Sequence, residues 1–191
     1  MHKARFLKEF LRQPAATWAI AESSGELADL ITDTADLSHA SVVVEFGSGT
    51  GVFTERILEK LSEDATAIAL ETNSAFVAET RRRCPQALVF HDSAVNTAHY
   101  LQSAGLEQCD RIICGLPWAC FSRNLQDQLL DTIMEVLTPG GKFLTFAYLH
   151  GLLLPSGRRF RRCLSSRFQE IVETRVIWKN LPPAFVYCAE R

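Results

Sequence analysis

The sequence has no run of about 18 apolar residues, the length a helix needs to cross a bilayer, which argues against a helical membrane-spanning protein. Its first residues lack a continuous apolar stretch followed by a small-residue cleavage site, so they do not read as a secretory leader. No large excess of either charge is present: 20 Lys and Arg stand against 22 Asp and Glu, for a formal net charge of −2. Overall composition therefore does not mark a polyanion binder, and local charge has to be read separately. The six cysteines, Cys84, Cys109, Cys114, Cys120, Cys163 and Cys188, include no CxxC pair and no zinc-finger spacing. No metal site is expected from them. Cys114 lies in an apolar run and reads as a small buried hydrophobe. A reduced, cytoplasmic compartment is the simplest reading. What is present is 191 residues, 47% hydrophobic and 22% charged, enough for one domain with a real core.

Residues 1–12 read MHKARFLKEFLR. Phe6, Leu7, Phe10 and Leu11 recur at helical spacing among Lys3, Arg5, Lys8 and Arg12, which predicts a short basic amphipathic helix ending near Pro14. Ser23 with Glu26 fits a capping box for a helix over 24–35. Residues 1–35 are thus expected as an N-terminal helical segment, and 36–191 as the main domain. From Ser41 the pattern alternates. Strands are expected at 41–46, 66–71, 87–90, 110–114 and 142–147, with helices at 53–62, 73–83, 95–104 and 123–137, the last stopped by Pro139-Gly140-Gly141. A helix over 157–165 then leads to two strands near 168–178 and 184–189, joined across the NLPP segment, 180–183. Alternating strands and helices predict an α/β fold with a mostly parallel sheet and ligands at the carboxyl ends of its strands.

The sharpest local signal is VVVEFGSGTG, residues 42–51. An apolar strand runs into a glycine-rich turn and then a helix, and Gly47, Gly49 and Gly51 let the backbone turn tightly against a ligand. Several kinds of nucleotide binder share such a turn. Glu45 narrows the choice, because a carboxylate there suits a cation and would repel a pyrophosphate. Glu71 ends the second strand, where it can accept both hydroxyls of a ribose, with Thr72 beside it. Asp92 and Ser93 follow the third strand, where a carboxylate can accept from an adenine amino group. NAD is the main competing ligand, disfavoured by Glu45 and by the absence of a GxGxxG spacing.

This constellation resembles that of the class I S-adenosylmethionine-dependent methyltransferases. The resemblance implies a Rossmann-like seven-stranded sheet, mostly parallel with a C-terminal antiparallel hairpin. It implies S-adenosyl-L-methionine as cofactor, held by Glu45, Gly47, Ser48, Gly49, Gly51, Glu71, Thr72, Asp92 and Ser93. The fourth strand ends in Gly115-Leu116-Pro117-Trp118, which is similar to the substrate loop of amine methyltransferases, where (N/D/S)PP(Y/F/W) or NLPY is common. A proline-stiffened loop can aim carbonyls at amine protons, and Trp118 can stabilise positive charge by cation–π attraction. Gly115 stands where a side-chain acceptor is usual, which favours an aliphatic amine over a base or amide. His91, His99 and His150 are available, yet none is marked as the general base.

Over nearly its whole length the chain resembles bacterial phospholipid N-methyltransferases, which convert phosphatidylethanolamine stepwise to phosphatidylcholine. The resemblance rests on FLKEFLRQPAATWAIAESSGELADLI, VVVEFGSGTGVFTERIL, RIICGLPWACF and VIWKNLPPAFVY. The family's turn usually reads GPGTG, so Ser48 is a departure. The resemblance implies a phospholipid or other amine substrate and an anionic membrane surface engaged through residues 1–12. Arg158, Arg159, Arg161 and Arg162 form a second basic patch suited to phosphate. Tyr187, on the final strand, is a candidate to face the amine. A cytoplasmic location, peripheral at the inner membrane surface, follows. Three alternatives stay open: a ribosomal RNA adenine N6-dimethyltransferase, a small-amine N-methyltransferase, and a non-catalytic cofactor-binding adaptor. Nucleic acid is disfavoured by Gly115 and by the modest charge.

Overall fold

A computed structural model describes residues 14–191, with side chains from residue 25 onward. Residues 1–12, the expected membrane helix, lie outside the described residues.

Seven strands form one sheet in the order β3-β2-β1-β4-β5-β7-β6. They are β1 (Val42–Phe46), β2 (Thr66–Glu71), β3 (Leu88–His91), β4 (Cys109–Cys114), β5 (Leu137–Tyr148), β6 (Glu170–Glu173) and β7 (Ala184–Glu190). The first five pair in parallel, while β7 is antiparallel to both β5 and β6. The Rossmann-like layout expected from the sequence is the one observed. Among the described residues six α-helices cover the sheet: α1 (Pro14–Ala35), α2 (Val52–Lys60), α3 (Ser74–Arg83), α4 (Thr97–Ser103), α5 (Arg123–Val136) and α6 (Pro155–Ser165).

The central strands are apolar on both faces because both are covered. Val43, Ile113, Leu144 and Val186 pack beneath Leu27, Ile31 and Ala35 of α1. On the other face Val44, Phe46, Ile112 and Phe143 meet Leu129 and Ile133 of α5 and Phe160 and Leu164 of α6. The C-terminal part of the N-terminal segment is therefore part of the main core.

Three boundaries differ from the sequence reading. The strand expected near 168–178 is only Glu170–Glu173, and beyond it Ile177 makes a single bridge to Ala184. Ser23 does not cap a helix start, because α1 is continuous from Pro14 and places Ser23 in its interior. Local side-chain capping is worth about 1 kcal/mol, less than burying the Leu27–Ile31–Ala35 stripe contributes. The Pro139-Gly140-Gly141 segment does not separate helix from strand either. The chain is already extended from Leu137, which pairs with Cys109 before the register shifts to Arg111↔Lys142.

The direction of β7 matters for the site. Its first residue, Ala184, pairs with Tyr148, the last of β5. The loop before β7 and the loop after β5 therefore meet at the carboxyl edge of the sheet, where the Leu149 amide donates to the Pro183 carbonyl at 3.0 Å.

Candidate functional site

The glycine turn leaves β1 at that carboxyl edge. Gly47, Gly49 and Gly51 have φ of 78°, 54° and 84°, left-handed values that side chains resist. The turn is tied down from three sides. The Gly47 amide donates to the Leu70 carbonyl of β2 at 2.8 Å. The Gly49 amide donates to Glu71 Oε2 at 3.0 Å. Thr80 Oγ1 of α3 donates to the Gly49 carbonyl at 2.9 Å.

Glu45 sits just inside this turn, only 2% exposed. Thr54 Oγ1, in the first turn of α2, donates to Oε2 at 2.5 Å. The other oxygen, Oε1, has no hydrogen-bond partner among the described residues. Burial pushes the carboxyl pKa up to about 7, the Thr54 hydrogen bond opposes the shift, and the charge of Glu71 adds to it. An unpartnered buried carboxylate oxygen costs stability unless a donor is supplied. The amino group of an amino-acid moiety is such a donor, and its positive charge would also return the carboxyl to its ionised form. The residues present fit S-adenosylmethionine at this point.

Glu71 Oε1 accepts from the Asn73 amide at 2.8 Å while Oε2 holds Gly49. One half-exposed carboxylate thus fixes the glycine turn and the start of α3, and its remaining lone pairs are available to ribose hydroxyls. Thr72 contributes its carbonyl, which accepts from His91 Nε2 at 3.0 Å. Asp92 is held more tightly than the sequence suggested. The Ser93 amide at 2.7 Å, Asn96 Nδ2 at 3.0 Å and Tyr100 Oη at 2.9 Å all donate to it. These hydrogen bonds hold its pKa below the ordinary value, with the Ser93 amide foremost. Ser93 also caps the following helical turn through its side chain. The Ser48 hydroxyl is buried against Thr80 Oγ1 at 3.2 Å, so its side chain braces α3.

The loop after β4 lies beside the glycine turn. The Gly115 amide donates to the Phe46 carbonyl at 2.9 Å. A Cβ placed on Gly115 would stand 2.9 Å from the Gly47 carbonyl oxygen, and one on Gly47 would stand 2.7 Å from Leu116 Cδ2. The two glycines therefore let the turn and the loop touch. Leu116 and Pro117 are half-buried at this contact.

Trp118 does not face the open side of the loop. It is 3% exposed, stacked on Phe160 with ring centroids 4.3 Å apart, and its Nε1 donates to Thr145 Oγ1 at 3.1 Å. Its aromatic faces are used by the core, so the expected cation–π role at the amine is corrected to a packing role that anchors the loop. Tyr187 is likewise buried, 1% exposed, among Phe160 and Phe185. Its hydroxyl has no hydrogen-bond partner among the described residues. Burial, then the charge of Glu173, pushes its pKa up to about 12, with the Arg161 guanidinium opposing. Its ring packs in the core beside the other aromatics.

Sequence reasoning missed Gln126 and Asp127, which hold the loop, and read Arg159 as part of a phosphate-binding patch when it is paired with both. The Trp118 carbonyl accepts from Gln126 Nε2 at 2.7 Å. Arg159 donates to Gln126 Oε1 at 2.8 Å and makes a two-oxygen pair with Asp127. No group of three or more His, Cys, Asp or Glu residues able to hold a metal occurs among the described residues, and no described helix is long and apolar enough to cross a membrane.

Comparison with known proteins places the chain. A family profile described as "Methyltransferase domain" matches residues 43–141. The ornithine lipid N-methyltransferase of Singulisphaera acidiphila is 30% identical over 185 residues, covering 95% of this chain and 92% of that one. An O-methyltransferase from Bacillus cereus, solved in complex with S-adenosylhomocysteine, superposes with a TM-score of 0.70 at 13% identity, over 87% of this chain and 81% of that one. A putative rRNA methylase from Clostridium thermocellum superposes with a TM-score of 0.65 at 18% identity, over 88% and 95%. These structural likenesses share the fold. With the glycine turn, the two strand-end acids and the whole-length relative, the chain belongs to the S-adenosylmethionine-dependent N-methyltransferases of the methyltransferase-domain family.

Proposed function

We propose that the chain methylates the amine of a lipid headgroup, with phosphatidylethanolamine as substrate. The observation that carries this reading is the contact between Gly115 and the Gly47 carbonyl, 2.9 Å from any added Cβ. It bars the side-chain acceptor that a planar base or amide nitrogen needs to free its lone pair, and leaves backbone carbonyls in its place. An aliphatic amine has a localised lone pair and needs orientation only. The 30% identical relative is an ornithine lipid N-methyltransferase, which supports the same substrate class.

When bound, the cofactor supplies an activated methyl group on a sulfonium. Glu45 holds its amino group through the unpartnered Oε1, Glu71 its ribose, and the segment around Asp92 and Ser93 its adenine. The substrate amine lies against the Gly115–Pro117 loop. Among the described residues the Gly115 carbonyl accepts no hydrogen bond, whereas those of Leu116, Pro117 and Trp118 accept from Trp118, Cys120 and Gln126. We assign an amine N–H to the Gly115 carbonyl, which aligns the lone pair for in-line displacement; the ammonium first gives up one proton to water, and the carbonyl accepts from an N–H that the neutral amine keeps. Trp118, Gln126 and Arg159 keep the loop rigid while this happens. The chain docks on an anionic membrane from the cytoplasmic side, with residues 1–12 as one contact.

The test is methyl transfer to phosphatidylethanolamine in anionic vesicles compared with free phosphoethanolamine. Transfer to the vesicle lipid alone supports the reading. Equal transfer to the free amine, unaffected by deleting residues 1–12, replaces it with a soluble-amine methyltransferase.

A further inference from the structure

Six large hydrophobic side chains are exposed among the described residues: Leu88, Leu153, Leu154, Val172, Trp178 and Leu181. Four of them sit on two loops that meet at one place. Leu153 and Leu154, the first 72% exposed, end the turn between β5 and α6. Trp178 and Leu181, 70% and 63% exposed, lie in the loop that leads into β7. The Tyr148↔Ala184 pair and the Leu149–Pro183 hydrogen bond join these loops at the carboxyl edge of the sheet. That is the edge from which the glycine turn and the Gly115–Pro117 loop also emerge. The remaining two exposed residues lie elsewhere: Leu88 begins β3 at the opposite edge, and Val172 is on the outermost strand.

Positive charge lies next to the rim. Arg158 donates to the Leu152 carbonyl at 3.1 Å, which places its guanidinium beside Leu153. Arg162 lies one helical turn further along α6. Together with Arg123 and Arg159 it lines an open cleft of about 450 Å³ with Cys163 and Ser166. Arg159 is already paired with Asp127, which Arg167 also approaches at 3.6 Å. Arg123 and Arg162 make no ion pair among the described residues.

We infer that the Leu153–Leu154 and Trp178–Leu181 loops, with Arg158 and Arg162 of α6, form a second bilayer-docking rim that seats the open end of the active site on an anionic lipid surface. The inference rests on the lipid-substrate reading above, and it specifies how a headgroup amine reaches the loop without leaving the membrane. Apolar tips flanked by guanidinium groups match the interfacial layer of an anionic bilayer, where Trp and Leu enter among the acyl chains and Arg meets lipid phosphate.

The experiment uses the full chain and vesicles of phosphatidylglycerol and phosphatidylethanolamine with brominated acyl chains. The signal of interest is the part of the tryptophan fluorescence that Trp178→Phe removes. Expected is quenching of that part, and about tenfold or greater loss of vesicle affinity in Trp178→Ser/Leu181→Ser and again in Leu153→Ser/Leu154→Ser. Cofactor affinity should stay unchanged in both as the check on folding. Vesicle binding that persists in both variants, or absence of quenching at Trp178, overturns the rim and assigns docking to another surface. Failure of the parent chain to bind vesicles overturns it too. Quenching and weakened binding with no methyl group reaching lipid would keep the rim and defeat the substrate reading, so the two failures are distinguishable.

Discussion

Replacing Glu45 by Gln should make the cofactor-free protein more stable, with a size set by pH. The carboxyl is buried with one oxygen unpartnered, and its pKa rises from an ordinary 4.5 to about 7 in the fold. A carboxyl with a raised folded pKa binds its proton more tightly folded than unfolded. Below the unfolded value it is protonated in both states and costs nothing. As pH climbs the cost grows, and above about pH 7 it is fully present, at about 3 kcal/mol. Gln resembles the protonated form at all pH values. The stability difference between Glu45→Gln and the parent should therefore grow from near zero at pH 4.5 to about 3 kcal/mol at pH 8, or roughly 6 °C or more in Tm for a chain of this size. Cofactor binding should move the opposite way. Losing a charge-assisted hydrogen bond of about 1.5–3 kcal/mol weakens affinity by roughly tenfold to a hundredfold. In the parent below pH 7, binding should release a proton, and affinity should fall about tenfold per pH unit. Thermal melts from pH 4.5 to 8, and calorimetry in two buffers of different ionisation enthalpy, read both effects. A stability difference that does not change with pH would refute the reasoning. So would cofactor binding without proton release at pH 6.

Other outcomes follow from the same contacts. Glu71→Ala removes the acceptor for the Gly49 and Asn73 amides and should weaken cofactor binding by about 1–3 kcal/mol; unchanged affinity on calorimetry removes Glu71 from that role. Gly115→Asn forces a Cβ against the Gly47 carbonyl, so it should cost about 1–3 kcal/mol of stability and most of the activity, and an active, stable Asn variant on thermal melts and turnover would contradict the crowding argument. Trp118→Ala should destabilise by about 3–5 kcal/mol as an emptied core site; a Trp118→Phe variant with unchanged Tm but raised KM would restore a substrate-facing role. Arg159→Ala should lower kcat more than it raises KM, since Arg159 supports the loop through Gln126, and a pure KM effect would place it on the substrate instead.

How much the sequence foretold depends on where each signal was local. The parallel strands were legible because each is a short apolar run ending at a turn, and the glycine turn with Glu45 and Glu71 was legible because spacing along the chain equals position at the strand ends. Side-chain direction was not. Trp118 and Tyr187 looked available to substrate from their positions, yet Phe160, thirty or more residues from Trp118 in sequence, fills the space beside both. Pairing partners across the fold decided the matter, and no periodicity encodes them. The same applies to Asp92, whose carboxylate is occupied by Tyr100 and Asn96, and to the false cap at Ser23, where burial of the following turns carries the helix through. The exposed rim depends on β7 entering antiparallel, which brings the loop that carries Trp178 to the same edge of the sheet as the turn that carries Leu153.

The central claim is transfer to a lipid amine. The direct measurement offers labelled S-adenosylmethionine to the full chain with phosphatidylethanolamine in anionic vesicles and unmodified ribosomal RNA in the same tube. The account predicts label in mono-, di- and trimethylated lipid and none in RNA. Label in adenine of the RNA, with the lipid unmodified, would contradict it.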